Sequence, residues 1–292
     1  MGAGCGSDFA VEFRDFSFTY EGSRRPALRG VNLRLRSGQM HLVVGASGSG
    51  KTTLLRSVVG LVPHLYGGEV RGDVVVCGTS VPSSSIREVA SRVGYVFQDP
   101  EDQLLASTIG RDVSASLESR GVPPGEAEGL ARRILEELGA GDLYDRPAHA
   151  LSDGQKQRAA IAEEIARGPS VLLLDEPSSM LDPEGAEGLM DLLARLKGDG
   201  LTIVVVEHRL GPALPRADNL IALSDGSVLM SGPPRELLAS WDSVSRLRAA
   251  GVSVPPVVEV YHGLRFKGLE LGRVPLTADE LLAMLRGRVN RI

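Results

Sequence analysis

Gly45-Ala-Ser-Gly-Ser-Gly50-Lys51-Thr52 decides the fold, because its two flanks make sense only together. Before it, His41-Leu-Val-Val44 is a continuous, branched apolar run, as expected of a strand buried on both faces. After it, Thr52 to Leu61 reads as a helix. The stretch fits G-x-x-x-x-G-K-[ST] in the strand–loop–helix setting that gives the pattern its meaning. Consecutive backbone N–H groups must turn inward around a polyphosphate, and a Cβ at several positions would block that approach. The helix N-terminus adds partial positive charge. Lys51 is a point charge for β- and γ-phosphates, and the Thr52 hydroxyl is a hard oxygen ligand for Mg²⁺. The bland alternative, a Gly/Ser loop with a chance Lys-Thr, leaves the strand and helix unexplained.

Working outward, Val171 to Leu174 and Thr202 to Val206 are further continuous apolar runs. Helical segments lie between such runs, at Gly125 to Leu138, Gln155 to Arg167 and Pro183 to Lys197. Buried strands alternating with helices imply a parallel sheet with crossover helices. Residues 11–20, 31–36 and 70–77 differ: Val31, Leu33 and Leu35 alternate with Asn32, Arg34 and Arg36. Alternation with a wet face reads as antiparallel sheet. The expected fold is therefore α/β with an antiparallel β layer on the N-terminal side.

The chain has 292 residues, 35 glycines, one Trp, five Tyr, six Phe and a net charge of −5. That length forms a sizeable core without disulfides or structural metal. Cys5 and Cys77 cannot build a disulfide framework, so a reduced, cytosolic setting is expected. No apolar run approaches the ~20 residues that span a bilayer, and no basic-then-apolar leader is evident. Mild acidity and few aromatics argue against nucleic acid as a partner. Charge is uneven: residues 243–292 carry +4 and the remainder −9, which marks a candidate boundary. Two domains are expected, 8–242 and a small C-terminal one, 243–292. Near its end, Thr277 and Glu280 have the spacing of a helix-capping box.

Val171-Leu-Leu-Leu-Asp175-Glu176 ends a buried strand in two carboxylates. Ligands of open α/β sheets bind at that edge. Asp175 suits a Mg²⁺ contact, and Glu176 suits polarisation of an attacking water. Alone, the pair would read as a solvated turn before Pro177.

Leu151-Ser-Asp-Gly-Gln155, followed by Lys-Gln-Arg-Ala-Ala-Ile-Ala162, resembles the Leu-Ser-Gly-Gly-Gln signature of ATP-binding cassette (ABC) ATPases. Other motifs of that family stand in order. Tyr20 matches the aromatic that stacks on adenine, Gln98 the Q-loop, Leu181-Asp182 the D-loop and His208 the switch histidine. Each alone would read blandly: a strand-end aromatic, a surface amide, a helix cap, a loop histidine. The resemblance covers about residues 11–240. It implies a P-loop NTPase core with a helical signature subdomain, and ATP and Mg²⁺ as ligands. Gly45, Ser47, Gly48, Ser49, Gly50, Lys51, Thr52, Thr53, Asp175 and Gln98 would hold the nucleotide, with Thr52, Gln98 and Asp175 toward the metal. Glu176, His208 and Lys51 would carry hydrolysis. Ser152, Gly154 and Gln155 would face a nucleotide held by a second ATPase subunit paired head to tail. Asp153 departs from the family, which usually has Gly there. The resemblance leaves open whether its charge weakens the site that this signature completes.

Phe97-Gln-Asp-Pro-Glu-Asp-Gln103 and Glu207-His208-Arg209-Leu210 are similar to the energy-coupling-factor (ECF) branch, as is the tail with Pro255-Pro256. That similarity implies a peripheral ATPase on the cytoplasmic side of a membrane. Its partners would be a transmembrane scaffold and a membrane subunit that binds a vitamin, a vitamin precursor or a transition-metal ion. The tail would contribute to pairing of the two ATPases. Another ABC transporter branch is the alternative, as is a soluble ABC ATPase acting on nucleic acid or ribosomes.

Overall fold

The computed structural model describes residues 5–289. Of the basic residues counted in the tail, Arg291 lies outside that range, and the side chain of Arg288 is not described. The chain begins with β1 (Phe9–Tyr20) and β2 (Leu28–Arg36), then crosses to β3 (Met40–Val44). It turns through the glycine loop into α1 (Lys51–Val58) and a short turn, α2 (Leu61–His64). β4 (Gly68–Val76), β5 (Thr79–Ser80), α3 (Ile86–Ala90) and β6 (Val93–Val96) follow. Next come α4 (Ile109–Glu118), α5 (Pro124–Glu137) and α6 (Asp153–Ala166). β7 (Val171–Asp175), α7 (Pro183–Gly198), β8 (Thr202–Val206), α8 (Leu210–Ala213), β9 (Asn219–Ser224) and β10 (Ser227–Gly232) complete the sheets. The chain closes with α9 (Pro234–Leu237), α10 (Trp241–Ala249), α11 (Pro256–Phe266) and α12 (Ala278–Val289).

β3, β7 and β8 are buried at every position and lie in a six-stranded sheet of order β10-β9-β3-β8-β7-β6. The pairings from β9 across to β6 are parallel, as the continuous apolar runs imply. β10 returns antiparallel on β9, an edge that the apolar runs did not disclose. The turn between them, Asp225-Gly226, has positive φ at both residues, the geometry that joins twisted strands through two residues.

The second sheet is antiparallel, in the order β2-β1-β4-β5. In β2, Leu28, Val31, Leu33 and Leu35 are buried while Arg34 and Arg36 are exposed. Its apolar face, with Phe13, Phe16 and Phe18, packs with α1 against one face of the parallel sheet. The other face of that sheet packs on the helical block. β3 shows the division: Val43 belongs to the first apolar cluster, and Leu42 and Val44 belong to the second. Successive strand residues point to opposite faces.

Val244, Leu247, Val258, Tyr261, Leu276 and Leu281 of the tail belong to that second cluster, together with side chains of α4–α7. Thr277 caps α12, its hydroxyl accepting from Glu280 N at 3.2 Å. The Glu280 carboxylate reaches Leu276 N at 2.9 Å rather than the backbone of the cap residue. It also takes both terminal nitrogens of Arg235, at 2.6 and 3.0 Å, which ties α12 to α9.

Cys5 and Cys77 correct the expectation of separate thiols: they form a disulfide, with Cα atoms 4.6 Å apart. Pairing of β1 with β4 brings them together, since Cys77 follows β4 and donates its N–H to Ala10 O at 2.9 Å. Among the described residues, no helix is long and apolar enough to cross a membrane.

Candidate functional site

β3 ends at Val44, and the loop that follows is shaped by its glycines. Gly50 sits at φ 104 immediately before α1, and a Cβ there would stand 2.6 Å from Ala27 O. A Cβ on Gly45 would meet Leu223 O and Ser49 Oγ at 2.5 Å. No other residue fits these two positions without moving backbone. Lys51 is buried and donates to Gly45 O and Ala46 O at 2.9 and 3.0 Å. Its ammonium therefore lies across the loop that bears it. Burial lowers its pKa, while Glu176 and Asp175 pull the other way. Ser49 Oγ is buried with no hydrogen-bond partner.

Ser47, Gly48, Gly50, Lys51, Thr52 and Thr53 share a cavity of about 270 Å³ with Glu176. Tyr20 ends β1 beside it, its hydroxyl 3.1 Å from Thr53 Oγ1 and its ring edge-on to Phe18. An adjoining cavity of about 690 Å³ is lined by Thr52, Gln98 and Asp175 among others. Thr52 stands beside the Asp175 carboxyl and favours its charged form. Asp175 Oδ2 accepts from the Tyr95 hydroxyl at 3.2 Å, and Oδ1 is buried without a partner. Burial holds the Asp175 carboxyl above its usual range. A buried, half-satisfied carboxylate beside a hydroxyl has the hard-oxygen donor set of a Mg²⁺ site.

Glu176 follows β7 at φ 53, an uncommon conformation for a side-chain-bearing residue. Its N–H donates to Val206 O at 3.0 Å, which pins the turn to the end of β8. His208 leaves β8 two residues later. Its Nε2 lies 2.8 Å from Glu176 Oε1, and Gln98 Nε2 donates to Glu176 Oε2 at 3.4 Å. The structure thus brings residues from two other loops onto one carboxylate next to the glycine loop. A carboxylate so placed can accept a proton from a water attacking a bound phosphate.

Ser152, Gly154 and Gln155 are not part of this group. They line a different cavity, of about 540 Å³, together with Leu181 and Asp182. Ser152 caps α6 in a full capping box with Gln155, and Asp182 caps α7 by accepting from Gly185 N at 2.7 Å. Asp153 is half-exposed, and its Oδ1 lies 3.7 Å from Lys156 Nζ on the same helix. Lys156 also bonds Glu101, in the turn after Gln98.

Two residues of the site were not legible as such. Tyr95 sits within an apolar strand, so its hydroxyl contact with Asp175 came only with the sheet. Glu207 is buried beside His208, and its carboxylate accepts from Ser178 N at 3.0 Å. It holds the turn after Glu176, and burial raises its pKa. A carboxylate closing an apolar strand was the available signal.

Residues 28–179 match the ABC transporter family. The chain belongs to the ATP-binding cassette transporter family. The cassette is 35% identical to the energy-coupling factor transporter ATP-binding protein EcfA1 of Lactobacillus acidophilus, over 93% of this chain and 94% of that one. It superposes on cbiO1 of Clostridium perfringens, part of the transporter complex cbiONQ, with a TM-score of 0.74. Identity there is 28%, over 88% of the cassette and all of its neighbour. The ATP-binding cassette MJ0796, solved as a dimer bound to ADP and Pi, superposes with a TM-score of 0.68 at 28% identity, over 77% of this chain and 99% of that one. These likenesses make the cassette an ABC ATPase and place it with the ECF branch.

Proposed function

We propose that the cassette is the ATP-hydrolysing subunit of a membrane importer of the ECF type, powered by ATP-driven closure of two paired cassettes. One observation carries the pairing: Ser152, Gly154 and Gln155 line a cavity to which no residue of the phosphate loop contributes, and only Asp153 of that segment reaches the cavity beside Thr52. A complete site then takes the loop of one subunit and the signature of another. Lys51 and the loop amides hold the β- and γ-phosphates, and Tyr20 stacks on adenine. Thr52, Asp175 and Gln98 hold Mg²⁺, which supplies charge neutralisation at the phosphates when bound. Glu176 takes the proton of the attacking water. His208 keeps Glu176 in register, and closure excludes bulk water.

Residues 8–242 act as the nucleotide-binding domain and 243–292 as a small domain that aids pairing. The partners are a second ABC ATPase, a transmembrane scaffold and a membrane subunit that binds a vitamin, vitamin precursor or transition-metal ion. Similarity to EcfA1 and to cbiO1 supports this reading. Purification from native membranes with identification of co-purifying subunits tests it. A small multi-spanning substrate binder is expected; an ordinary permease without one contradicts the ECF assignment.

A further inference from the structure

β6 is the last strand of its sheet, so one side of it has no neighbouring strand. Its backbone on that side is nevertheless paired, by two side chains. Glu164 Oε2 accepts from Tyr95 N at 3.3 Å. Gln103 Nε2 donates to Tyr95 O at 3.0 Å, and Gln103 Oε1 accepts from Phe97 N at 2.8 Å. The Gln103 amide thus pairs with the strand as a peptide group of a neighbouring strand would. It also donates to Glu164 Oε1 at 3.2 Å, so the two side chains hold each other.

Other features agree with a built arrangement. Gly94 leaves room for it, since a Cβ there would stand 3.1 Å from Glu164 Oε2. Glu164 is buried, and burial pushes its carboxyl up to about 7 against the pull of Arg167. A carboxyl is costly to bury unless hydrogen bonds satisfy it. Here both oxygens are engaged, one by the strand and one by Gln103.

The clamped segment feeds the site from both ends. Tyr95 hydrogen-bonds Asp175, and Gln98, one residue past the clamp, reaches Glu176. Residues 98–102 therefore form a loop whose two ends are tied together by Gln103 and Phe97.

We infer that Gln103 and Glu164 are positioning residues for hydrolysis, which lock the open edge of β6 and so hold Gln98 at Glu176 and Tyr95 at Asp175. This rests on the metal-site roles proposed above for Gln98 and Asp175. Gln103 touches no reacting atom and acts through the strand. Outer partners of metal ligands typically contribute 10- to 100-fold to metal affinity.

The test uses the full chain with Gln103→Met, which keeps the side chain's length and removes its hydrogen bonds. Hydrogen exchange of the 93–98 segment and the Mg²⁺ dependence of ATP hydrolysis are read together, with Gln98→Ala in parallel. Exchange at Tyr95 and Phe97 is expected to speed up. The Mg²⁺ half-saturation point is expected to rise about tenfold, while ATP affinity without Mg²⁺ is unchanged. Unaltered exchange overturns the clamp itself. Faster exchange with a wild-type Mg²⁺ requirement, while Gln98→Ala shifts that requirement, overturns the positioning role. If neither variant shifts it, the reading of Gln98 fails and the inference falls with it.

Discussion

His208 Nε2 and Glu176 Oε1 lie 2.8 Å apart, joining the ends of two neighbouring strands at the glycine loop. The imidazole lies against one carboxylate oxygen, and the Gln98 amide donates to the other. His208→Ala removes one of these two supports without altering the phosphate loop. A fall in hydrolysis of about 100-fold or more is expected, the usual scale for disabling a general base. ATP affinity should change less than about threefold. Phosphate release and nucleotide-binding fluorescence measure the two separately, and equal losses in both would contradict a role confined to Glu176.

Asp153 brings a negative charge to the segment proposed to face a second subunit's nucleotide, and Lys156 Nζ lies 3.7 Å from its Oδ1. Lys156 is shared with Glu101, so its neutralisation of Asp153 is partial. Asp153→Gly is expected to raise turnover of the assembled complex by about two- to fivefold, and Lys156→Met to lower it on the same scale. Steady-state phosphate release from the complex reads both. Unchanged turnover in Asp153→Gly removes the idea that Asp153 weakens the site.

Arg235 holds the Glu280 carboxyl below its usual range through paired hydrogen bonds. A folded-state value below the unfolded one stabilises the fold above the unfolded pKa of about 4.3. That contribution is lost as pH falls through the folded value. Glu280→Gln is expected to lower Tm by about 2 °C at pH 7, for roughly 1 kcal/mol in a chain of this size. The gap between variant and parent should close as pH falls below about 4. Urea unfolding midpoints across pH check it, and a gap independent of pH would contradict the ionic contribution.

What could be read from the chain was local or ordered along it. The loop from Gly45 to Thr52 declares itself because strand, turn and helix are contiguous. Asp175 and Glu176 stand out at the end of an apolar run only in company with that loop, and His208 only through the order of the family's motifs. Contacts between distant segments could not be read in this way. Tyr95 and Asp175 are 80 residues apart, and nothing in Val93–Val96 marks the tyrosine as other than core. Cys5 meets Cys77 only through the register of β1 on β4. Periodicity in the tail marks an apolar face without naming what covers it. The structure sets Val244, Leu247 and Val258 in the same core as the helical block. The Glu280 side chain illustrates the same point: its spacing to Thr277 was visible, but its bond to Arg235 was not.

The central claim is that Glu176 is the residue on which hydrolysis turns, and Glu176→Gln tests it most directly. The substitution keeps the shape and removes the carboxylate that faces His208 and Gln98. ATP hydrolysis and the association state should be measured together, with ATP and Mg²⁺ present. The account predicts an ATP-bound cassette that pairs more stably than the parent and does not turn over. Turnover at the parent rate would contradict it.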